Sequence, residues 1–193
     1  LHLLMKELCK IKGIRWIRVL YCYPEEIYDE LIQVMKEEKK ICHYLDLPIQ
    51  HASDRILKRM GRRTTRAQLT ATIEKLRKEI PDIVFRTTLI TGFPGETEED
   101  HQELMEFVDE MEFDRLGAFT YSPEEGTPAE TMEDQIPEEI KEERRDEIME
   151  LQQEISLEKG NDRIGQELLV MIEGKVSGES AYIARTYGDA PKV

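Results

Sequence analysis

The sequence has 193 residues, of which 41 are acidic and 27 basic, so its formal net charge is −14. This length suits one ordinary domain with a short appendage, and it is short for a complete eight-fold β/α barrel, which needs about 250 residues. No apolar run reaches the roughly 18 residues that a transmembrane helix requires, which excludes an integral membrane protein. The acidity argues against nucleic-acid or membrane binding by the whole surface, although a local basic patch is compatible with it.

Helical and strand periodicities alternate along the first 121 residues. In chain order they predict a helix ending near Gly13, a strand over 14–21, a helix over 27–35, a strand over 44–49, helices over 53–60 and 65–79, a strand over 84–91, a helix over 97–111 and a strand over 116–121. Ser53, Thr65 and Thr97 are expected to cap helices. Strands that alternate with helices predict a parallel sheet, either part of a β/α barrel or an open doubly wound sheet.

The composition changes after residue 123. Residues 124–154 hold 13 acidic side chains against three basic ones. An apolar stripe through this segment predicts a long surface helix from about 137 to 160, with the charges on its solvated face. Two further strands, over 166–173 and 182–185, are joined by a Gly-rich turn and predict the start of a small β module.

The three cysteines lie at Cys9, Cys22 and Cys42. Their number is odd, and their spacings fit neither a disulfide framework, nor a zinc site, nor a redox pair. The pattern favours reduced thiols in a cytoplasmic protein. The chain begins with Leu1 inside an apparent helix, and we therefore expect that further sequence precedes it.

Two segments at predicted carboxyl ends of parallel strands, where such sheets bind ligands, are polar or rich in glycine. The segment 47–54 (LPIQHASD) opens a helix and is expected to present backbone N–H groups and the Ser53 hydroxyl; a simple capped loop is the alternative. In the segment 91–97 (TGFPGET), Gly92 and Gly95 permit a sharp turn or the close approach of a ligand. The Lys-Ser/Thr of a phosphate-binding P-loop is absent from this segment.

The predicted strand 84–91 carries a charge in its interior. Alternation places Val84, Arg86, Thr88 and Ile90 on one face. A buried guanidinium is very costly without a partner. Two partners are equally compatible with the sequence: an anionic ligand such as an amino-acid carboxylate in a barrel lumen, or Asp46 in a structural ion pair.

A basic cluster interrupts this acidic sequence. Its six cations are Arg55, Lys58, Arg59, Arg62, Arg63 and Arg66. The cluster suggests a contact with RNA or a ribosome, and a solvated helix face is the alternative. No aromatic platform accompanies it in the sequence, so direct reading of bases is unsupported.

The chain resembles the radical SAM methylthiotransferases in four segments that follow one another in the family's order: LPIQHASDRILKRMGRR, TTLITGFPGETEEDHQEL, FDRLGAFTYSPEEGTPA and IPEEIKEERRDEIMELQQEIS. The features QHASD (50–54), LGAF (116–119) and ARTYGDAP (184–191) resemble the branch that modifies a ribosomal protein. That branch adds a methylthio group to the β-carbon of an aspartate in a small-subunit ribosomal protein. The alternatives are a tRNA methylthiotransferase of the MiaB type and a non-catalytic fragment that docks on RNA or the ribosome.

This resemblance implies the C-terminal part of a radical SAM partial (β/α) barrel over 1–136, a connecting helix over 137–164 and the beginning of a TRAM domain over 165–193. It also implies that S-adenosylmethionine serves twice, as methyl donor and, cleaved reductively at a [4Fe-4S] cluster, as the source of a radical. A second [4Fe-4S] cluster takes part in sulfur insertion. The cluster that cleaves S-adenosylmethionine needs a Cys-x3-Cys-x2-Cys triad, which the three cysteines of this chain cannot form. The ligands of both clusters are therefore expected outside this chain. The chain alone should be inactive.

Strand direction and the resemblance together predict part of an S-adenosylmethionine pocket. The predicted contacts are Gln50, Ser53, Arg86, Thr88, the backbone of Gly92 and Phe93, and Tyr121. Arg86 is the candidate for the cofactor carboxylate, and Tyr121 is expected near the substrate. The expected partners are a ribosomal small-subunit protein and, through Arg55–Arg66, ribosomal RNA; no membrane partner is expected.

Overall fold

The computed structural model describes residues 1–190 and contains two sheets. Its elements are α1 (His2–Cys9), β1 (Ile17–Val19), α2 (Asp29–Glu37), β2 (Ile41–Asp46), α3 (Asp54–Arg59), α4 (Arg66–Glu79), β3 (Val84–Thr91), α5 (Glu98–Met111), β4 (Arg115–Thr120), α6 (Glu138–Asn161), β5 (Val170–Lys175) and β6 (Tyr182–Thr186). The predicted α/β class, with a parallel sheet and a small β module, is confirmed. The β module over 165–193 and the ARTYGDAP segment extend beyond residue 190, and their last residues lie outside the described part.

The four strands β1 to β4 pair in chain order, and every pair is parallel. A doubly wound sheet reverses its strand order at a switch point, whereas barrel units follow one another around the sheet. No such reversal occurs among the four described strands, and their order is that of successive units of a β/α barrel.

One face of this sheet carries the main hydrophobic core. Along β3, Phe85, Thr87, Leu89 and Thr91 are buried, whereas the alternate positions from Arg86 onward are half-buried. Apolar residues of α2, α4 and α5 cover the buried face. Each fully buried side chain of the size of Phe85 contributes about 1.5–3 kcal/mol, so this face holds the sheet together. The opposite, half-buried face is the one available to a ligand.

Capping chemistry fixes where two of the helices begin. Thr65 and Thr97 each accept a backbone N–H three residues on and form capping boxes with Gln68 and Asp100, as the sequence predicts. Ser53 stands at the N-cap position of α3, but the expected side-chain cap is wrong. Its hydroxyl donates instead to Asp100 Oδ1 at 2.6 Å, because the start of α5 packs beside it.

Three strands, β1, β2 and β5, differ from their predicted bounds. The predicted strand 44–49 is shifted toward the N-terminus, since β2 ends at Asp46. Leu47 N–H still donates to Arg86 O of β3 at 2.8 Å, but Pro48 has no N–H for the ladder, and the next contact with β3 is an isolated bridge between Gln50 and Leu89. The strand predicted over 14–21 shrinks to three residues, and β5 begins at Val170 rather than Gln166.

None of the helices in residues 1–190 combines the length and the apolar character needed to cross a lipid bilayer.

Candidate functional site

A cavity of about 490 Å³ opens at the carboxyl ends of β3 and β4. Pockets for small molecules typically measure about 300–1,000 Å³. Its apolar lining comprises Met60, Ile90, Phe93 and Phe119, and its polar lining comprises Gln50, Arg62, Thr88, Thr120, Tyr121 and Ser122. Four predicted contacts, Gln50, Thr88, Phe93 and Tyr121, therefore line one cavity.

Gln50 is held in a strained conformation at the edge of this cavity. Its φ is +71°, in the left-handed region that costs a residue with a Cβ about 1–2 kcal/mol. Two hydrogen bonds to β3 impose this geometry: Gln50 N–H donates to Thr88 O at 3.0 Å, and Ile90 N–H donates to Gln50 O at 2.8 Å. Strain of this kind concentrates at functional sites, where the surrounding structure fixes a side chain in place.

Tyr121 supplies an unsatisfied donor. It directly follows β4, is only 8% exposed, and packs edge-on against Phe93 with 5.2 Å between ring centroids. Its hydroxyl has no hydrogen-bond partner among the residues that the structure describes. Burial, with Glu130 and Glu124 nearby, raises the pKa of Tyr121, so the phenol keeps its proton. A buried donor without a partner is costly, and a ligand with an acceptor atom would satisfy it.

Arg62 is the charged residue in the cavity lining, and sequence reasoning treated it only as one member of the basic cluster. Its guanidinium carbon lies 5.2 Å from the centroid of the Tyr23 ring. Within residues 1–190 it has no carboxylate partner, whereas Arg55 pairs with Asp100 and Arg66 with Glu110. A planar guanidinium suits a carboxylate ligand. The sequence offered one signal, namely that Arg62 follows the helix that opens from the predicted ligand loop.

The loop between β3 and α5 uses its glycines for packing. Gly92 has φ +69°, and a Cβ there would lie 2.2 Å from Lys141 Cγ of α6. Its N–H donates to Glu96 Oε2 at 2.8 Å, and the N–H of Phe93 reaches the same oxygen at 3.3 Å. Both backbone donors are therefore engaged within the protein. Phe93 presents its ring to the cavity, whose lining within the described residues does not include Gly92.

Glu96 is the centre of a buried polar network that sequence reasoning missed. The carboxylate is almost fully buried and accepts Arg144 Nη1 of α6 at 2.9 Å. His51 Nδ1 accepts the N–H of Ser53, so its proton lies on Nε2, which is 3.5 Å from Glu96 Oε2. Burial opposes ionisation of Glu96, but His51, the Gly92 N–H and Arg144 hold its pKa below the ordinary value. The ionised carboxylate thus joins α6 to both ligand loops.

Ser53 belongs to a second network of the same kind. Asp100 accepts the Ser53 hydroxyl at 2.6 Å and a bidentate pair of hydrogen bonds from Arg55. Burial opposes ionisation of Asp100, but Arg55, Ser53 and Thr97 together hold its pKa well below the ordinary value. The Ser53 hydroxyl therefore has a partner within the protein, and its predicted cofactor contact stays a prediction.

Arg86 does not join the other predicted residues. Its Nη1 donates to Asp46 Oδ1 at 2.8 Å, which is the ion-pair alternative raised by the sequence. It lines a different cavity of about 1,030 Å³, together with Arg115 of β4 and Arg185 of β6. This cavity lies toward the amino-terminal end of β3, two positions before Thr88 on the same face. The predicted carboxylate contact of Arg86 stays a prediction.

The cysteines do not fit an iron–sulfur cluster. They are three free thiols, and no group of His, Cys, Asp and Glu able to hold a metal ion occurs in the part of the chain that the structure describes. Burial, aided by Glu26, raises the pKa of Cys22 to about 11, and burial also raises that of Cys42. Thiols that resist deprotonation are poor ligands, because clusters bind thiolates.

The basic cluster is largely engaged within the protein. Arg55 and Arg66 form ion pairs, Arg59 packs against Gly95, and Arg62 lies over Tyr23. Lys58 and Arg63 are exposed, with no carboxylate partner in residues 1–190. The predicted RNA contact is therefore reduced to these two side chains and stays a prediction.

The family model of the radical SAM superfamily matches residues 1–108, more than half of the chain. The chain belongs to the radical SAM superfamily. The cavity at the carboxyl ends of β3 and β4 thus lies in a radical SAM fold, at the end where parallel barrels place their ligands.

This radical SAM chain also matches curated relatives along almost its whole length. It is 62% identical over 190 residues to the ribosomal protein uS12 methylthiotransferase RimO of Lachnoclostridium phytofermentans, covering 98% of this chain and 43% of that protein. It is 56% identical over 193 residues to that of Clostridium perfringens, covering 100% and 43%. The corresponding protein of Desulfitobacterium hafniense is 55% identical over 190 residues, covering 98% and 42%. The resemblance to the ribosomal-protein branch is confirmed, and the chain spans less than half the length of these relatives.

Proposed function

We propose that this radical SAM chain is part of a methylthiotransferase that acts on ribosomal protein uS12 and modifies the β-carbon of an aspartate. The observation that carries the proposal is the similarity to RimO proteins along 98–100% of the chain. The tRNA alternative receives no comparable support from the three relatives, whose names specify a ribosomal protein. We also propose a cytoplasmic location, which agrees with the free thiols and with a ribosomal substrate.

The chain's own contribution is part of the S-adenosylmethionine pocket. Tyr121 fits this group because its buried hydroxyl lacks a partner among the described residues and can donate to the cofactor. Arg62 fits the cofactor carboxylate better than Arg86 does, because Arg62 lines the same cavity as Tyr121 and Arg86 is already paired with Asp46. When bound, S-adenosylmethionine supplies the methyl group and the radical chemistry of the family.

The remaining residues bind, orient and exclude water. The amide of Gln50 and the hydroxyl of Thr88 offer hydrogen bonds from the strand side of the cavity. Phe93 provides an apolar wall that keeps water from the reacting atoms. Glu96 does not enter the cavity lining in the described chain; through its hydrogen bonds with Gly92 and Phe93 it holds the loop that carries this wall.

Two [4Fe-4S] clusters belong to the proposed enzyme. The three cysteines of this chain do not fit either of them, so the thiolate ligands would come from cysteines outside these 193 residues. We therefore propose that the 193-residue chain alone does not catalyse the reaction.

The direct test incubates the cluster-loaded enzyme with S-adenosylmethionine, a one-electron reductant such as dithionite, inorganic sulfide as sulfur source, and either isolated uS12 or tRNA. Mass spectrometry of digested products should find one methylthio group on an aspartate of uS12 and none on tRNA. A uS12 variant with that aspartate replaced by asparagine serves as control and should stay unmodified. Modification of tRNA alone would overturn the proposed substrate.

An additional contact with ribosomal RNA is proposed through Lys58 and Arg63. Their exposure and their lack of a carboxylate partner within residues 1–190 support it. RNA binding should weaken with added salt and should decrease further when both cations are replaced by glutamine. Salt-independent binding, or binding unaffected by the double substitution, would contradict this contact.

A further inference from the structure

The segment Arg185–Asp189 consists of the last two residues of β6 and the turn that follows, and it lies against the amino-terminal end of the parallel sheet. We propose that this segment is a latch that fixes the β5–β6 hairpin on the barrel, with Asp189 as its central positioning residue. Three sets of contacts support the latch. They involve backbone carbonyls, the Asp189 carboxylate and an interlocking of Tyr187 and Gly188 with the sheet.

Arg18 of β1 captures the backbone of the latch. Its Nη2 donates to the carbonyl oxygens of both Tyr187 and Asp189, the latter at 2.8 Å. The guanidinium also lies over the ring of Tyr44, 4.6 Å from its centroid. A single guanidinium thereby fixes two carbonyls that are 169 and 171 residues away in sequence. A hairpin held only by a flexible linker would not keep two such bonds.

Asp189 connects the turn after β6 to the edge strand of the sheet. Its Oδ2 accepts the Thr186 hydroxyl at 2.8 Å and the Thr186 N–H at 3.2 Å, which closes the turn. Its Oδ1 accepts Nη2 of Arg115, the first residue of β4, at 2.7 Å. Although burial opposes ionisation, Arg115 and Thr186 lower the pKa of Asp189. One ionised carboxylate therefore shapes the latch and attaches it.

Tyr187 and Gly188 complete the contact by shape. The Tyr187 hydroxyl donates to Asp82 O at 2.7 Å, and its ring packs beside the small cluster of Cys42, Tyr44 and Val84. Gly188 lies so close to β3 that a Cβ there would be 3.2 Å from Val84 Cγ2. The latch thus contacts β1, β3 and β4. A larger residue at 188 would push the latch away from β3.

The latch belongs to the ARTYGDAP segment, which the proposed cofactor cavity does not involve. ARTYGDAP is one of the features that resemble the ribosomal-protein branch, and its described residues line no part of the cavity of Gln50 and Tyr121. A protein substrate needs an interface of about 800 Å² on each partner, far more than the mouth of one cavity. We infer, on the basis of the proposed function, that the latch positions the hairpin relative to that mouth for the ribosomal protein.

The first test measures hydrogen exchange in the full-length enzyme, without substrate. Gly188→Val and Asp189→Ala should each speed amide exchange in Tyr182–Thr186 by about tenfold or more, because docking no longer protects the hairpin. Gly174→Val is the matched control, since a Cβ at Gly174 meets nothing within 4 Å. Exchange at wild-type rates in both latch variants would overturn the latch.

The second test separates positioning from a merely structural role. The latch variants should raise KM for uS12 several-fold while the affinity for S-adenosylmethionine and kcat at saturating uS12 stay near wild type. Unchanged KM in a variant whose hairpin exchanges faster would overturn the positioning role. If wild-type enzyme does not modify uS12 at all, the proposed function fails, and the exchange experiment still decides the latch.

Discussion

Arg144 of α6 and Glu96 of the loop before α5 form an ion pair inside the protein, with 2.9 Å between Nη1 and Oε1. Both side chains are buried, at 8% and 0% exposure. Lys141, one turn earlier, reaches the carbonyl of Tyr121 at 2.9 Å. Helix α6, whose charges were expected on a solvated face, therefore uses two of its four cations, Lys141 and Arg144, to hold the end of β4 and the loop before α5.

Removing one member of this pair should be strongly destabilising. Arg144→Met should lower the free energy of unfolding by about 3–5 kcal/mol, because it leaves the Glu96 carboxylate buried and uncompensated. Arg145→Met on the same helix is the control: Arg145 pairs with exposed Asp146, and its loss should cost less than about 1 kcal/mol. Urea unfolding followed by circular dichroism measures both. Equal, small losses in the two variants would show that the buried pair is unimportant.

Acid should lower the free energy of unfolding by protonating Asp100 and Glu96. Folding lowers the pKa of Asp100 and Glu96 from ordinary values of 3.8 and 4.5. Their contribution is therefore fully present above the ordinary values and is lost as pH falls through the lowered ones. Asp100→Asn should be less stable than wild type at pH about 7, and the two should converge as pH falls below about 4.

Asp109→Asn is the control for this acid dependence, because Asp109 is exposed on the same helix. Its urea midpoint should follow that of wild type across the whole pH range. If the Asp100→Asn curve also ran parallel to wild type, the ionised Asp100 would contribute nothing to acid sensitivity.

The left-handed conformation of Gln50 should lower the free energy of unfolding, while the Gln50 amide should strengthen the binding of S-adenosylmethionine. Gln50→Gly should raise the free energy of unfolding by up to about 1–2 kcal/mol, because glycine adopts a positive φ without cost. The same variant should bind S-adenosylmethionine more weakly, since the amide is gone. Glu112→Gly, at φ +41°, relieves comparable strain far from the cavity and should leave affinity unchanged. A Gln50→Gly variant with wild-type affinity would remove Gln50 from the site.

The sequence predicted those parts of the fold that depend on local patterns. The bounds of β3 agree residue for residue, because alternation is clear from Val84 to Thr91. The start and end of α5 agree because Thr97 and Asp100 form a capping box before an amphipathic stretch. The end of β2 was misplaced because the apolar run continues through Leu47 and Ile49, although Pro48 cannot support the ladder.

The sequence indicated which strand ends line the cavity but not which charged side chain lies in it. Strand direction and the family resemblance together placed Gln50, Thr88 and Tyr121 near one another, and all three line one cavity. Which of six clustered cations faces the cavity depends on contacts between distant segments, such as Arg55 with Asp100, and local pattern carries no such information. Gly92 illustrates the same limit: the sequence permits a sharp turn or the close approach of a ligand there, and the structure shows a positive φ with Lys141 as the close neighbour.

The most direct test of the account is calorimetric binding of S-adenosylmethionine to the cluster-loaded enzyme in three variants. Arg62→Gln should lower the affinity by about 10–100-fold, since a charge-assisted hydrogen bond contributes about 1.5–3 kcal/mol. Arg63→Gln, its exposed neighbour, and Arg86→Gln, which belongs to the other cavity, should bind like wild type. Wild-type affinity in Arg62→Gln together with a large loss in Arg86→Gln would contradict the assignment of the cofactor to the cavity of Gln50, Arg62 and Tyr121.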